Sequence, residues 1–135
     1  MPSYGPPITT EQARKAVSAA LAEARANNWT MAAAVVDPGG ILVYFERIDD
    51  TQNASSKIAI DKAVSAALFK RPTKTFQDSI ERAGIGLRVM TLRGAIPVEG
   101  GVPLVINGRI AGGLGVSGGT AEQDGQCAKA ATDAM

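Results

Sequence analysis

Small apolar residues recur with helical spacing in two long segments of the chain. They occupy every third or fourth position of residues 9–27, which is typical of a helix resting on a sheet. Residues 57–70 repeat the pattern until Pro72 ends it. Thr9 and Thr120 each precede a glutamine by three positions, the spacing of a helix capping box. We therefore predict helices over 9–27 and 57–70, a shorter helix from Thr75, and a last helix from Thr120 towards the C-terminus.

Apolar runs separated by turn residues predict two β-hairpins. Residues 30–36 are followed by Asp-Pro-Gly-Gly and then by the second apolar run, residues 41–48. Asn107-Gly108 separates residues 102–106 from residues 109–116, and Asn-Gly favours the type I′ hairpin turn because both central positions need positive φ. This order of elements predicts an α/β (α+β) fold with an antiparallel sheet of about five strands flanked by helices.

The first eight residues differ in composition from the rest of the chain. Three of the first seven residues are prolines, so we expect residues 1–8 to form an extended arm. Residues 9–135 contain no repeat or linker and are long enough for one hydrophobic core, so they are expected to form a single domain. The start of the chain resembles no secretion signal, and we expect a cytoplasmic protein.

The composition excludes several classes of function. Histidine is absent, which rules out Ser/His/Asp and Cys/His catalysis and any histidine-ligated metal. A single cysteine, Cys127, cannot form an internal disulfide or a paired-cysteine metal site, and no metal site is predicted. The net charge of +1 and the aromatic content of 4% give little basis for nucleic-acid binding. No apolar run is long enough for a membrane span.

Lys62 interrupts an otherwise small and apolar face of the predicted 57–70 helix. It either reaches solvent or an ion-pair partner along its methylene stem, or places a desolvated amine in a cavity as an acid, base or anion anchor. Asp124 lies one turn into the last predicted helix, where the helix dipole favours a carboxylate. Both residues are candidates for a functional cluster.

The loop before the second hairpin contains two adjacent glycines between prolines. The bare amides of Gly100 and Gly101, next to Val102, could face a ligand carboxylate, or the glycines could simply bend the chain into the strand. Glu99 adjoins these amides as a general acid or base, or as a solvated side chain. The amides from Ser117 onwards precede the last helix and could receive an anion.

Arg47 ends the second strand of the first predicted hairpin. A surface ion pair with Glu46 or Asp49 is one explanation for its position. An anchor for a ligand carboxylate is the other.

Four ordered blocks of the sequence resemble one known family. They are residues 35–49 (VVDPGGILVYFERID), residues 55–72 with Lys62-Ala63, residues 100–104 (GGVPL) and residues 115–124 (GVSGGTAEQD). These blocks look like the GlcG/HbpS-like family, often called the haem-degrading or haem-binding domain family and related to the C-terminal domain of PduO-type proteins. The resemblance covers nearly the whole chain. It implies a profilin-like α/β/α domain with a five-stranded antiparallel sheet, in dimers that build tetramers or octamers.

The resemblance leaves two functional hypotheses open. In the first, the Gly100-Gly101 loop, Lys62 and Arg47 hold haem or another anionic tetrapyrrole by its carboxylates. Because histidine is absent, the haem iron would need Cys127, Lys62, a tyrosine or a methionine, or would lack a strong protein ligand. No cofactor is required by the sequence itself.

The second hypothesis is a cofactor-free isomerase, lyase or hydrolase of small-molecule catabolism. Lys62, Glu99 and Asp124 would handle protons, and Arg47 would anchor the substrate. Glu99 departs from the less charged residue expected at its position in the family, which favours a small polar or carboxylated metabolite as the ligand.

Overall fold

Four helices, one 3₁₀ segment and four strands form the computed structural model, which describes all 135 residues. In chain order these elements are α1 (Thr10–Ala26), β1 (Ala32–Val36), β2 (Leu42–Arg47), α2 (Ala54–Phe69), α3 (Thr73–Arg82), the 3₁₀ segment (Gly84–Thr91), β3 (Gly101–Ile106), β4 (Arg109–Ser117) and α4 (Ala121–Asp133). None of these helices is both long and apolar enough to cross a membrane.

The sheet has four antiparallel strands in the order β2-β1-β4-β3, so the prediction of about five strands is wrong. The N-terminal arm lies beside the start of β4, next to the residues of β4 that β1 does not reach. It forms a single parallel bridge between Tyr4 and Ile110. Pro2, Pro6 and Pro7 have no N–H to donate, which prevents the arm from continuing as a strand.

Helices cover both faces of the sheet. The larger core lies between the sheet and the helices α1 and α4, and the smaller core lies between the sheet and α2. Helix α2 packs unusually close to β4, because a Cβ at Gly113 or Gly115 would overlap the carbonyl groups of Ala63 and Ala59. This close approach brings the middle of α2 within side-chain reach of the end of β4.

Local sequence signals determine most of the element boundaries. Both predicted capping boxes form, at Thr9 and Thr120, and Asn107 and Gly108 have φ values of 52° and 76°, as a type I′ turn requires. Helix α2 begins three residues before the predicted start. Helix α3 begins directly after Pro72, so Thr75 is not its cap.

Candidate functional site

Lys62 of α2 and Asp124 of α4 form an ion pair in the interior. The distance from Lys62 Nζ to Asp124 Oδ2 is 2.9 Å, and the two side chains are only 1% and 4% exposed. Lys62 Nζ also donates to the Val116 carbonyl at 3.0 Å, and Asp124 Oδ1 accepts the Gly119 N–H at 2.9 Å. Lys62 is therefore an ion-paired lysine without access to solvent.

The surroundings of Asp124 act on its carboxyl in opposite directions. Burial raises the pKa of Asp124 above its ordinary value, while the charge and hydrogen bond of Lys62 and the N–H of Gly119 lower it. A buried ion pair of this kind is stable only while both partners are present. The pair therefore acts as one unit that joins α2, β4 and α4.

Gly100 closes over this pair with a backbone conformation that side chains rarely adopt. Its φ is 130°, and a Cβ there would lie 2.6 Å from the Val116 oxygen and 2.9 Å from Lys62 Nζ. The Gly100 carbonyl accepts the Val116 N–H at 2.9 Å. A regular antiparallel ladder would return the Gly100 N–H to the Val116 carbonyl, but Lys62 occupies that acceptor instead.

The two glycine amides have different roles as a result. The Gly100 N–H has no hydrogen-bond acceptor within the chain. The Gly101 N–H donates to Thr73 Oγ1 at 2.9 Å, so it is already satisfied. Gly100 is buried and lines no opening, so neither of the two amides singled out in the sequence is exposed to a ligand. Val102 packs against the larger core rather than into the loop.

Glu99 lies outside the buried pair, half-buried against α4. Its backbone N–H donates to Gln77 Oε1 at 2.8 Å, and its carboxylate rests on Gly125, where any Cβ would overlap it. Burial raises the pKa of Glu99, and the carboxylates of Glu122, Asp78 and Asp124 raise it further, whereas Lys74 lowers it. Glu99 is thus the accessible carboxyl of the predicted cluster.

An opening of about 560 Å³ lies in front of Glu99, between α3 and the start of α4. We call it the Glu99 pocket, and its lining residues are Lys74, Gln77, Glu99, Thr120, Ala121 and Glu122. The first backbone N–H groups of α4 border it, and such groups have no carbonyl partner within their own helix. The pocket therefore combines hydrogen-bond donors, one ammonium group and two carboxyl groups, those of Glu99 and Glu122.

Arg47 is not brought to this cluster. Ser117, which is buried beside Asp124, pairs across the sheet with Ala32, and Ala32 pairs with Arg47. Two strand spacings, about 10 Å, therefore separate the backbones of Arg47 and Ser117. Arg47 forms no ion pair, since Glu46 contacts Arg25 instead at 3.3 Å.

The fold agrees with that of known proteins. A protein-family model described as "Haem degrading protein HbpS-like" matches residues 8–133. The chain belongs to the HbpS-like family. Protein GlcG of Escherichia coli is 38% identical over 110 residues, which are 82% of this chain and 81% of GlcG.

Solved structures resemble the HbpS-like chain closely. The Klebsiella pneumoniae protein ORFY superimposes with a TM-score of 0.86 at 30% identity, covering 98% of this chain and 92% of ORFY. A structure described as a PduOC:haem complex gives a TM-score of 0.84 at 28% identity, covering 96% and 95% of the two chains. The resemblance predicted from the four sequence blocks is confirmed.

The Glu99 pocket does not offer the side chains that usually ligate haem iron. No histidine, cysteine, methionine or tyrosine lines the Glu99 pocket. Cys127 is buried in the larger core, and burial raises the pKa of its thiol to about 12, far from the thiolate that a metal requires. Lys62 Nζ already forms an ion pair with Asp124. The residues present therefore do not fit a haem ligated through its iron.

Sequence reasoning missed Lys74, Gln77 and Glu122 of the pocket lining, and Gly125 beside the pocket. Lys74 and Gln77 belong to α3, whose position over the Glu99 loop depends on tertiary packing and leaves no local signal. Gly125 did leave a signal, because a glycine inside a helix costs about 1 kcal/mol relative to alanine. A side chain at this position would overlap the Glu99 carboxylate, which explains the glycine.

Proposed function

We propose that this HbpS-like protein binds an anionic small molecule in the Glu99 pocket. The single observation that carries the proposal is the meeting, at one opening, of Lys74, the first N–H groups of α4 and the carboxyl of Glu99, with the exposed Glu122 at its side. The amides and the ammonium would take a ligand carboxylate. A protonated Glu99 would donate a hydrogen bond to the same ligand. The pKa of Glu99 is already raised by burial.

Lys74 is available to such a ligand although it already has a partner. It forms an ion pair with Asp78 at 2.9 Å, and both side chains are well exposed, at 52% and 39%. Water screens exposed pairs strongly, so a carboxylate bound in the pocket can compete with Asp78. Lys62 and Asp124 would serve as positioning residues that hold Gly100 and the start of α4 in place.

Haem or another anionic tetrapyrrole is the ligand class that we propose for this pocket. The family description and the PduOC:haem complex support this choice. In this chain the tetrapyrrole would be held through its carboxylates, with no side chain ligating the iron. Binding should accordingly be weak.

The geometry does not favour the catalytic alternative. Lys62 and Asp124 neutralise each other and are closed off from the pocket, so this pair cannot exchange protons with a ligand bound there. A ligand-binding role needs only the groups that are exposed.

We also propose that the chain forms a homo-oligomer, built from dimers into tetramers or octamers. Several large apolar side chains are exposed, among them Met90 at 70%, Ile41 at 66% and Leu68 at 49%. Light scattering should show a species several times heavier than the 13.9 kDa chain, and a monomer at micromolar concentration would contradict the proposal. The cytoplasmic location and the division into an arm and one domain stay predictions.

The function is tested by titrating the protein with protoporphyrin, with its dimethyl ester and with haem. Wild type should bind protoporphyrin and haem similarly and the ester poorly, because the carboxylates and not the iron are recognised. Lys74→Met should weaken protoporphyrin binding about tenfold, the loss expected for one hydrogen bond to a charged group. Lys57→Met, at an exposed position of α2 outside the pocket, is the matched control and should bind as wild type.

Two results would contradict the proposal. Equal binding of the ester would show that the carboxylates are not recognised. A low-spin spectrum with two nitrogen ligands on the haem iron would show that the iron is ligated after all.

A further inference from the structure

A second opening lies along α3, formed with the 3₁₀ segment and separate from the Glu99 pocket. It has a volume of about 430 Å³, within the usual range for small-molecule sites. Its lining includes three arginines, Arg71, Arg82 and Arg88, and no acidic residue. We call it the arginine groove. No local pattern in the sequence indicates this groove, because Arg71 and Arg88 meet only when the 3₁₀ segment folds back onto α3.

The arginines of the groove carry uncompensated charge. None of them forms a salt bridge, although five salt bridges exist elsewhere in the chain. The acidic residues of α3, Asp78 and Glu81, are absent from the lining, and Asp78 pairs with Lys74. Three positive charges therefore converge locally in a chain whose net charge is only +1.

Two of the arginines are held in place by the groove itself. Arg71 Nε donates to the Phe69 carbonyl at 2.9 Å, and its guanidinium lies 6.0 Å from the centre of the Phe76 ring. Arg82 Nη2 donates to Ser79 Oγ at 3.2 Å. These contacts use few of the donors of each guanidinium, and the remaining N–H groups are free for a ligand.

Apolar side chains form the rest of the groove lining. The buried side chains Phe76 and Val89 contribute to its lining, and Ile85 is exposed at its side. The 3₁₀ segment contacts α3 backbone to backbone, since a Cβ at Gly86 would overlap the Ser79 carbonyl. This backbone contact sets the distance between α3 and the 3₁₀ segment, so the groove exists before any ligand binds.

We infer that the arginine groove binds an amphipathic organic anion, a molecule with an apolar ring system or chain and a carboxylate or sulfonate group. Guanidinium groups match such oxyanions in charge and in the geometry of their paired donors. The apolar walls bury the rest of the molecule. This site does not depend on the function proposed for the Glu99 pocket.

A second copy of the chain is a poorer occupant. A symmetric dimer places the same patch of both chains together, so the three arginines would face three further arginines without a compensating acid. The charge of the groove therefore favours an anionic ligand over self-association.

The test uses two fluorescent probes that share an aromatic frame. One is 8-anilinonaphthalene-1-sulfonate, and the other is N-phenyl-1-naphthylamine, which lacks the sulfonate. Wild type should bind the sulfonate more tightly, and this preference should shrink at high salt. Arg82→Gln with Arg88→Gln should weaken sulfonate binding by about tenfold or more, the scale of hydrogen bonds to a charged group, and leave the neutral probe unchanged.

Three further variants separate the apolar contribution and provide controls. Ile85→Ser should weaken both probes, whereas Arg93→Gln and Ile41→Ser change exposed residues outside the groove and should affect neither. Circular dichroism confirms that each variant is folded. Equal affinity for the two probes, or an unchanged sulfonate affinity in the double arginine variant, would overturn the inference. So would loss of an oligomer in that double variant, because the groove would then be an interface.

Discussion

The buried charges between α2 and α4 are paired with each other, whereas the charged groups along α3 keep charge or hydrogen-bond donors that no partner within the chain uses. Lys62 and Asp124 lie in the interior, each with its hydrogen bonds made inside the chain. Lys74, Glu99 and the three arginines of the groove lie at openings, with charge or donors left over. The most conspicuous charge in the sequence is thus a structural device, and the groups open to ligands are ordinary surface residues of α3 and its neighbours.

The largest effect should follow from breaking the buried pair. Lys62→Met leaves Asp124 buried without its counter-charge, which should lower the free energy of unfolding by about 3–5 kcal/mol. Urea denaturation measures this change. The double variant Lys62→Met, Asp124→Leu removes both charges and should recover much of the loss. A loss below about 1 kcal/mol in the single variant would contradict this, because that is the contribution of an exposed ion pair.

Gly100→Ala should have the next largest effect. The positive φ and the overlap of a Cβ with the Val116 oxygen and Lys62 Nζ should lower the free energy of unfolding by about 1–3 kcal/mol. Gly108→Ala is a useful comparison, because that glycine also has positive φ, 76°, but a Cβ there meets nothing. Thermal unfolding should show the smaller loss for Gly108→Ala, and equal losses would mean that the contact with Lys62 is unimportant.

Gly125→Ala tests the contact between α4 and Glu99. Alanine inside a helix normally gains about 1 kcal/mol over glycine, but here its Cβ would overlap the Glu99 carboxylate, so the gain should be absent. The same substitution in a Glu99→Ala background should recover the gain. A double-mutant cycle measures the difference between the two backgrounds. If Gly125→Ala stabilises both backgrounds equally, Glu99 does not occupy the position described.

The smallest effect concerns pH. The folded protein holds a proton on Glu99 more tightly than the unfolded chain does, because burial raises the pKa of Glu99 above its ordinary value of 4.5. Stability should therefore fall as pH rises from 4.5 through the folded pKa. Glu99→Gln should remove this part of the pH dependence. Identical stability profiles of Glu99→Gln and wild type would contradict the direction of the shift.

The pH dependence of ligand binding should follow the same group. An anionic ligand is repelled by ionised Glu99 and can accept a hydrogen bond from protonated Glu99, so protoporphyrin should bind wild type more weakly as pH rises. Glu99→Gln should flatten this profile. Glu81→Gln, an exposed acid of α3 outside the pocket, is the matched control and should keep the wild-type profile.

Much of the fold could be predicted from local sequence signals, because those signals act over a few residues. The capping boxes at Thr9 and Thr120 and the Asn107-Gly108 turn formed as expected. The number of strands could not be predicted locally. It depends on whether the proline-rich arm continues the ladder beside β4, and the arm forms only one bridge there.

The candidate site was only partly predictable for a similar reason. Lys62 was conspicuous because a charge on an apolar helical face must find a partner, and Asp124 proved to be that partner. The roles of Lys74 and Arg88 depend on how α3 and the 3₁₀ segment lie on the rest of the molecule. No periodicity within either segment records that arrangement.

A crystal structure of the protein with bound protoporphyrin would test the central claim most directly. We expect a carboxylate of the ligand at Lys74 and the first turn of α4, with the Lys62 to Asp124 distance still near 2.9 Å. The central claim is that the buried pair positions the site while the exposed groups bind the ligand. A structure in which Lys62 leaves Asp124 to contact the ligand would contradict it. So would a structure in which the Glu99 pocket stays empty at saturation.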